Sequence, residues 1–298
     1  MWLYLAFTSA ALLGCYDVAK KRALKNNAVL PVLGLNSLFG ALLFSPFIIN
    51  SAAGLGLFEG TMLNIGMGTL SDHLMIMLKA CIVLGSWICG YFGLKHLPLT
   101  IVGPINATRP VMVLLGALII FGEKLNALQW AGVIVAMVSL YLLGHTSRRE
   151  GVDFRSNKWI WCVGMAAVLG AASGLYDKYV MGRLDSVFVQ SWFNLYQALI
   201  MGVVVCVLWL PRRAQMPFHW SWAIPLITLF VSAADFAYFY ALTIDDALIS
   251  VVSMVRRGSV LVSFAYGAIV LGEHNLRGKI IDLALILVGM VLLYLGSR

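Results

Sequence analysis

Gly14-Cys15-Tyr16-Asp17 returns 160 positions later as Gly174-Leu175-Tyr176-Asp177. Each copy lies toward the end of a long apolar run, so what repeats is a helix. Other markers keep the same order at similar spacing. Asn36 in the second apolar run answers Asn194 in the seventh, and Phe121-Gly122-Glu123 after the fourth answers Leu271-Gly272-Glu273 after the ninth. A helix that spans a bilayer takes about 20 mostly apolar residues. Such windows fall at 2–20, 31–50, 73–94, 99–121, 125–144, 159–182, 187–210, 221–243, 247–271 and 278–296. The markers divide these ten into two sets of five, 1–146 and 159–298. Because five is odd, the second copy enters the membrane from the opposite side. The expected fold is an all-α membrane protein of ten transmembrane helices, built as two inverted five-helix repeats. That plan places a ligand site near the midplane between the copies.

Composition excludes the main alternatives. The 298 residues are 61% hydrophobic and 11% charged, with a mean hydropathy of +0.90. A soluble domain is about 45–50% apolar and about 25% charged, so this chain lacks the charge to cover a water-facing surface. A soluble enzyme, a nucleic-acid-binding domain and a disordered tail are all poor readings of it. The net charge of +8 reads as membrane orientation rather than affinity for nucleic acid. Of the 21 Lys and Arg residues, 13 follow odd-numbered helices and four follow even-numbered ones. The positive-inside rule then puts both termini outside the cytoplasm. The first apolar run has no basic leader and no small-residue cleavage site, so it reads as a retained helix. The five cysteines fall inside apolar runs without a CxxC spacing, and the five histidines lie in loops or at helix ends. Neither set suggests a metal site, and no cofactor or ATP-binding segment is indicated.

Taken together, Phe121-Gly122-Glu123-Lys124-Leu125, Gln129-Trp130-Ala131-Gly132 and the second-half Leu271-Gly272-Glu273 resemble the drug/metabolite transporter superfamily, in particular its EamA-type members. The resemblance runs over nearly the whole chain. It implies a ten-helix transporter, not an enzyme, with a central cavity lined mainly by helices 1, 3, 4, 6, 8 and 9. A narrower likeness lies in Ser250-Val251-Val252-Ser253-Met254-Val255-Arg256-Arg257. It is similar to the basic pair on helix nine of the sugar-phosphate and triose-phosphate branch, which holds phosphate. That branch carries Lys-Arg where this chain carries Arg-Arg. EamA members also resemble proteins with cytoplasmic termini, against the charge count here.

The charges inside the helices carry most of the functional information. One Arg at a helix centre costs about 2.5–3.5 kcal/mol on insertion scales, so Arg109 in helix four and Arg256 and Arg257 in helix nine must face water, a partner or a ligand. Helices four and nine are repeat equivalents, so the three guanidinium groups are expected near one region. A guanidinium holds carboxylate or phosphate through a bidentate fork. Neighbours on a helix diverge by about 100°, so one of the helix-nine pair is free to meet Asp235 or Asp282 while the other faces the cavity. The candidate substrate-binding set is Arg109, Arg256, Arg257, Asn106, Asp235, Tyr176 and Asn194. The candidate coupling or gating set is Asp17, Asp177 and Asp235, with a proton gradient as a possible driving partner. The plainer readings are interfacial ion pairs of Asp17 with Lys20 and Asp177 with Lys178, and helix-to-helix hydrogen bonding for Gln190, Asn194 and Gln197. Trp87, Tyr91, Tyr238 and Tyr240 read as packing or interfacial aromatics, and Glu123 and Glu273 as helix caps. Pro104 and Pro110 around Arg109 favour a cavity, since freed backbone groups need polar company in a membrane. The expected function is a secondary transporter of a small anionic or zwitterionic metabolite. A membrane enzyme or lipid-handling protein acting on a phosphorylated head group is the alternative, and the chain offers no catalytic cluster for it.

Overall fold

The computed structural model describes residues 2–61, 65–109, 111–113, 115–116, 126–148, 156–181, 183–242, 255–256, 258–272 and 276–296. Among these residues there are ten α-helices and no strand. They are α1 (Trp2–Leu24), α2 (Val29–Ala52), α3 (Leu70–His96), α4 (Leu99–Ala107), α5 (Ala127–Arg148), α6 (Lys158–Met181), α7 (Ser186–Val204), α8 (Ala223–Leu242), α9 (Ser259–Ile269) and α10 (Leu276–Gly296). On length and composition alone, α2, α3, α6, α7 and α10 can each cross a membrane. Large apolar side chains such as Leu42, Trp161, Val203 and Ile281 point outward, as lipid-facing residues do.

Local chemistry sets several boundaries. α3 starts three residues before the expected window because Thr69 and Asp72 form a reciprocal capping box. The expected helix 99–121 breaks at Thr108, whose hydroxyl donates to Ile105 O at 2.7 Å. A proline at 110 has no N–H to give the Asn106 carbonyl, so the break follows from sequence. α7 runs on into a π turn at Val205–Trp209 and a 3₁₀ turn at Leu210–Arg212, where Pro211 sits. The turn between α1 and α2 is closed by Asn26 at φ 53°, a conformation asparagine tolerates. Glu123, Glu273, Arg257 and residues 243–254 lie outside the described residues.

Contacts between helix ends fix the directions. Lys21 Nζ donates to Leu94 O at 2.7 Å and to Leu97 O, joining the ends of α1 and α3. Asn27 Nδ2 donates to His219 O at 2.7 Å, joining the α1–α2 turn to the entrance of α8. At the opposite end, the His73 and Phe188 rings lie 5.9 Å apart, joining the starts of α7 and α3. Odd helices therefore run one way and even helices the other. The end where odd helices finish is the basic end; the end that holds the chain termini is the terminal end.

Pairing carries the repeat. α1 packs on α8 and α3 on α6, while α2 packs on α7, α4 on α9 and α5 on α10. Exchanging each helix for the one five places away turns the first pair into the second and leaves the other three unchanged. Equivalent helices run in opposite directions, so the relation is that of inverted repeats. Where α5 meets α10, a Cβ added at Gly132 would lie 2.8 Å from Gly289 O, and one at Gly289 would lie 3.0 Å from Gly132 O. Only glycine lets two backbones approach this closely. The repeated motif makes a helix contact in each half, tight at Gly14 and looser at Gly174. Gly14 of α1 sits against Val262 of α9, and Gly174 of α6 sits against Val113, just beyond α4.

Candidate functional site

Two cavities lie between the helices. The first, chamber one, is about 420 Å³ and is bounded by α1, α3, α4, α8 and α9, with Arg256 just ahead of α9. It reaches the basic end, where Lys20, Leu94 and Leu99 line it close to their helix ends. Its charged groups are Asp17, Lys20, Arg109 and Arg256. Lys20 Nζ meets Asp17 Oδ1 at 2.6 Å and lies 3.9 Å above the Tyr16 ring. Arg256 donates to Asp235 in an ion pair and stacks 4.5 Å from the Tyr238 ring centre.

Arg109 has no carboxylate partner among the described residues. Its Nη2 donates to the neutral Asn106 Oδ1 at 3.3 Å, and its Nε is buried without an acceptor. The guanidinium crosses to α6 and lies on the bare Cα of Gly170, where a Cβ would come within 2.9 Å of Arg109 Cζ. Three cations and one carboxylate leave chamber one with a formal excess of positive charge. Such a site suits an anion, and Arg109 is the group still short of one.

Chamber two is about 270 Å³, is bounded by α2, α3, α6, α7 and α8, and reaches toward the terminal end at Asp177 and Gln190. Lys79 Nζ meets Asp177 Oδ1 at 2.7 Å there. Gln190, Asn194 and Gln197 of α7 all face it. Opposite them, Thr228 Oγ1 donates to Asn36 Oδ1 at 2.9 Å. Trp87 lines both chambers, and the Asp235–Arg256 pair has one partner in each. These three side chains form the partition.

The candidate residues from sequence are brought together in part. Arg109, Asn106 and Arg256 meet in chamber one, with Asp17 beside them, and Asp235 reaches it through Arg256. Asn194 and Asp177 belong to chamber two. Tyr176 lines neither; its hydroxyl donates to Met75 O at 3.2 Å and ties α6 to α3. Asp177 takes its cation from Lys79, across the helix interface. Asn194 Nδ2 donates to the Gln190 carbonyl of its own helix at 2.8 Å, not to a neighbouring helix. Trp87 and Tyr238, read as packing aromatics, face the cavities. Sequence reasoning passed over Lys79 and Lys279. Lys79 is a cation in the middle of an apolar helix, the same signal that marked Arg109. Lys279, counted among the loop charges, is fully buried in α10 and donates to Thr100 Oγ1 at 3.0 Å.

No curated protein matches the chain by sequence. A crystal structure of another protein matches over 99% of this chain and 97% of that one, with a TM-score of 0.63 and 17% identity, a likeness of fold. α1 to α4, most of α5, Arg109 and most of the lining of chamber one fall within the stretch that matches the model of the EamA-like transporter family, residues 1–144. That stretch is just under half of the 298 residues, and over it the chain is similar to the EamA-like transporter family; with five helices apolar enough to span a bilayer, the chain is an integral multi-pass membrane protein.

Proposed function

We propose that the chain is a secondary transporter that moves a small anionic or zwitterionic metabolite by alternating access, holding the acidic group in chamber one. The observation that carries this reading is Arg109, a half-buried guanidinium on a cavity with only a neutral amide as side-chain partner among the described residues. Arg256 and Lys20 flank it with further positive charge. On this reading the two repeats, 1–146 and 159–298, rock about the partition, and chamber one serves the basic end while chamber two serves the terminal end. The charge count makes the basic end cytoplasmic and both termini external.

Coupling follows from the partition. When a substrate's acid takes Arg256, Asp235 loses its counter-charge, and a half-buried carboxylate without one is disfavoured. A proton entering from chamber two is the smallest charge that restores neutrality. Substrate and proton then trade places on the Asp235–Arg256 pair. The test is uptake into vesicles under an imposed pH gradient, wild type against Asp235→Asn. The coupling predicts gradient-dependent uptake that the variant loses; no dependence in the wild type, or the same dependence in the variant, overturns it.

The binding claim is tested by a thermal-shift screen of the purified protein, since a ligand bound only by the folded state raises its stability. Inorganic phosphate, small carboxylates, zwitterions and organic cations form the panel. Stabilisation by anions or zwitterions, weakened about tenfold or more in Arg109→Ala, supports the site. Stabilisation by cations alone, or unchanged anion binding in Arg109→Ala, refutes it.

A further inference from the structure

Chamber two is a built polar site that anion binding in chamber one does not use. Its lysine is hidden and its carboxylates are not. The Lys79 side chain is 7% exposed, while that of its partner Asp177 is 37% exposed and that of Asp235 is 29% exposed. A ligand entering the chamber therefore meets carboxylate oxygens, with the ammonium packed behind them against the Phe193 ring. Opposite, Gln197 is 1% exposed, faces the chamber, and its Nε2 has no acceptor. A buried amide donor left unpaired is costly, and no protein group meets it here.

We propose that chamber two is a second ligand site, for a small primary ammonium compound that also carries an acceptor oxygen. The ammonium lies on the Asp177 and Asp235 side, and the oxygen accepts from Gln197 Nε2. Both demands are set by the chamber: exposed carboxylates call for a cation, and the unpaired amide calls for an acceptor on the same molecule. A bare alkylammonium leaves Gln197 unmet, and a neutral polyol brings no charge to the exposed edges of the carboxylates. The site goes beyond the anion reading and does not depend on it.

The test is binding to the purified full-length protein in detergent at fixed pH and ionic strength. The probes are ethanolamine, ethylamine and ethylene glycol, with inorganic phosphate as the probe of chamber one. Ethanolamine is expected to bind saturably, ethylamine about tenfold more weakly, and ethylene glycol not at all. Gln197→Leu should erase the difference between the two amines, and Asp177→Asn should weaken both about tenfold. If Asp177→Asn fails to fold because Lys79 is left unpaired, the double variant Lys79→Met/Asp177→Asn takes its place with the same expectation. No saturable ethanolamine binding, ethylene glycol binding as well as ethanolamine, or affinities untouched by both substitutions would overturn the proposal. Phosphate binding and its loss in Arg109→Ala report on chamber one alone, so either reading can fail without the other.

Discussion

A methyl group added to Gly170 would touch the Arg109 guanidinium at Cζ, Nε and Nη1, at 2.9, 3.0 and 3.2 Å. The obstacle is the tip of a flexible side chain, so Gly170→Ala is expected to fold normally and to displace the arginine. Anion affinity should fall several-fold with little change in thermal stability; equal affinity for wild type and variant would show that Gly170 does not position Arg109. Lys279 makes the opposite prediction. Its ammonium is buried and bonded to Thr100, so Lys279→Met, which keeps the stem, should cost about 1–3 kcal/mol. Thermal unfolding in detergent measures it, and wild-type stability would contradict it. Arg109 and Arg256 were legible in the sequence because a charge in an apolar run is expensive wherever it points. Tyr176 was not, because which way a helix turns its faces depends on its neighbours. Its repeat mate Tyr16 lines chamber one, while Tyr176 is turned onto α3.

At the scale of elements, the glycine contact between α5 and α10 admits no side chain on either side. Here the obstacle is backbone, so the helices themselves must part. Gly289→Leu is expected to destabilise the protein by about 1–3 kcal/mol, read as a lower unfolding temperature, while ligand binding in the chambers persists in the folded fraction. Unchanged stability would mean that α5 and α10 do not meet as described. The number and order of helices could be read from apolar windows and the repeated motifs, since both follow from spacing along the chain. Their ends were less legible. The start of α3 depends on a capping box outside the apolar run. The break after α4 needed the proline at 110 to be read as a lost hydrogen bond within an otherwise apolar stretch.

For the whole molecule, the pairing of α1 with α8 and of α3 with α6 splits the interior into two chambers, and Trp87 with the Asp235–Arg256 pair keeps them apart. Two chambers did not follow from sequence; the inverted plan suggested one central site, and the partition arises from residues on two different helices and the approach to α9. The basic end carries the loop charges, so tags on both termini should report the external side, and tags found in the cytoplasm would reverse the assignment. The most direct test of the transporter account needs no substrate. With the five native cysteines removed, Leu94→Cys in chamber one and Gln190→Cys in chamber two are exposed to a membrane-impermeant thiol reagent from each face of oriented vesicles. The account predicts labelling of Leu94→Cys from the face that bears the basic end and of Gln190→Cys from the opposite face. Labelling of both from one face alone would contradict it.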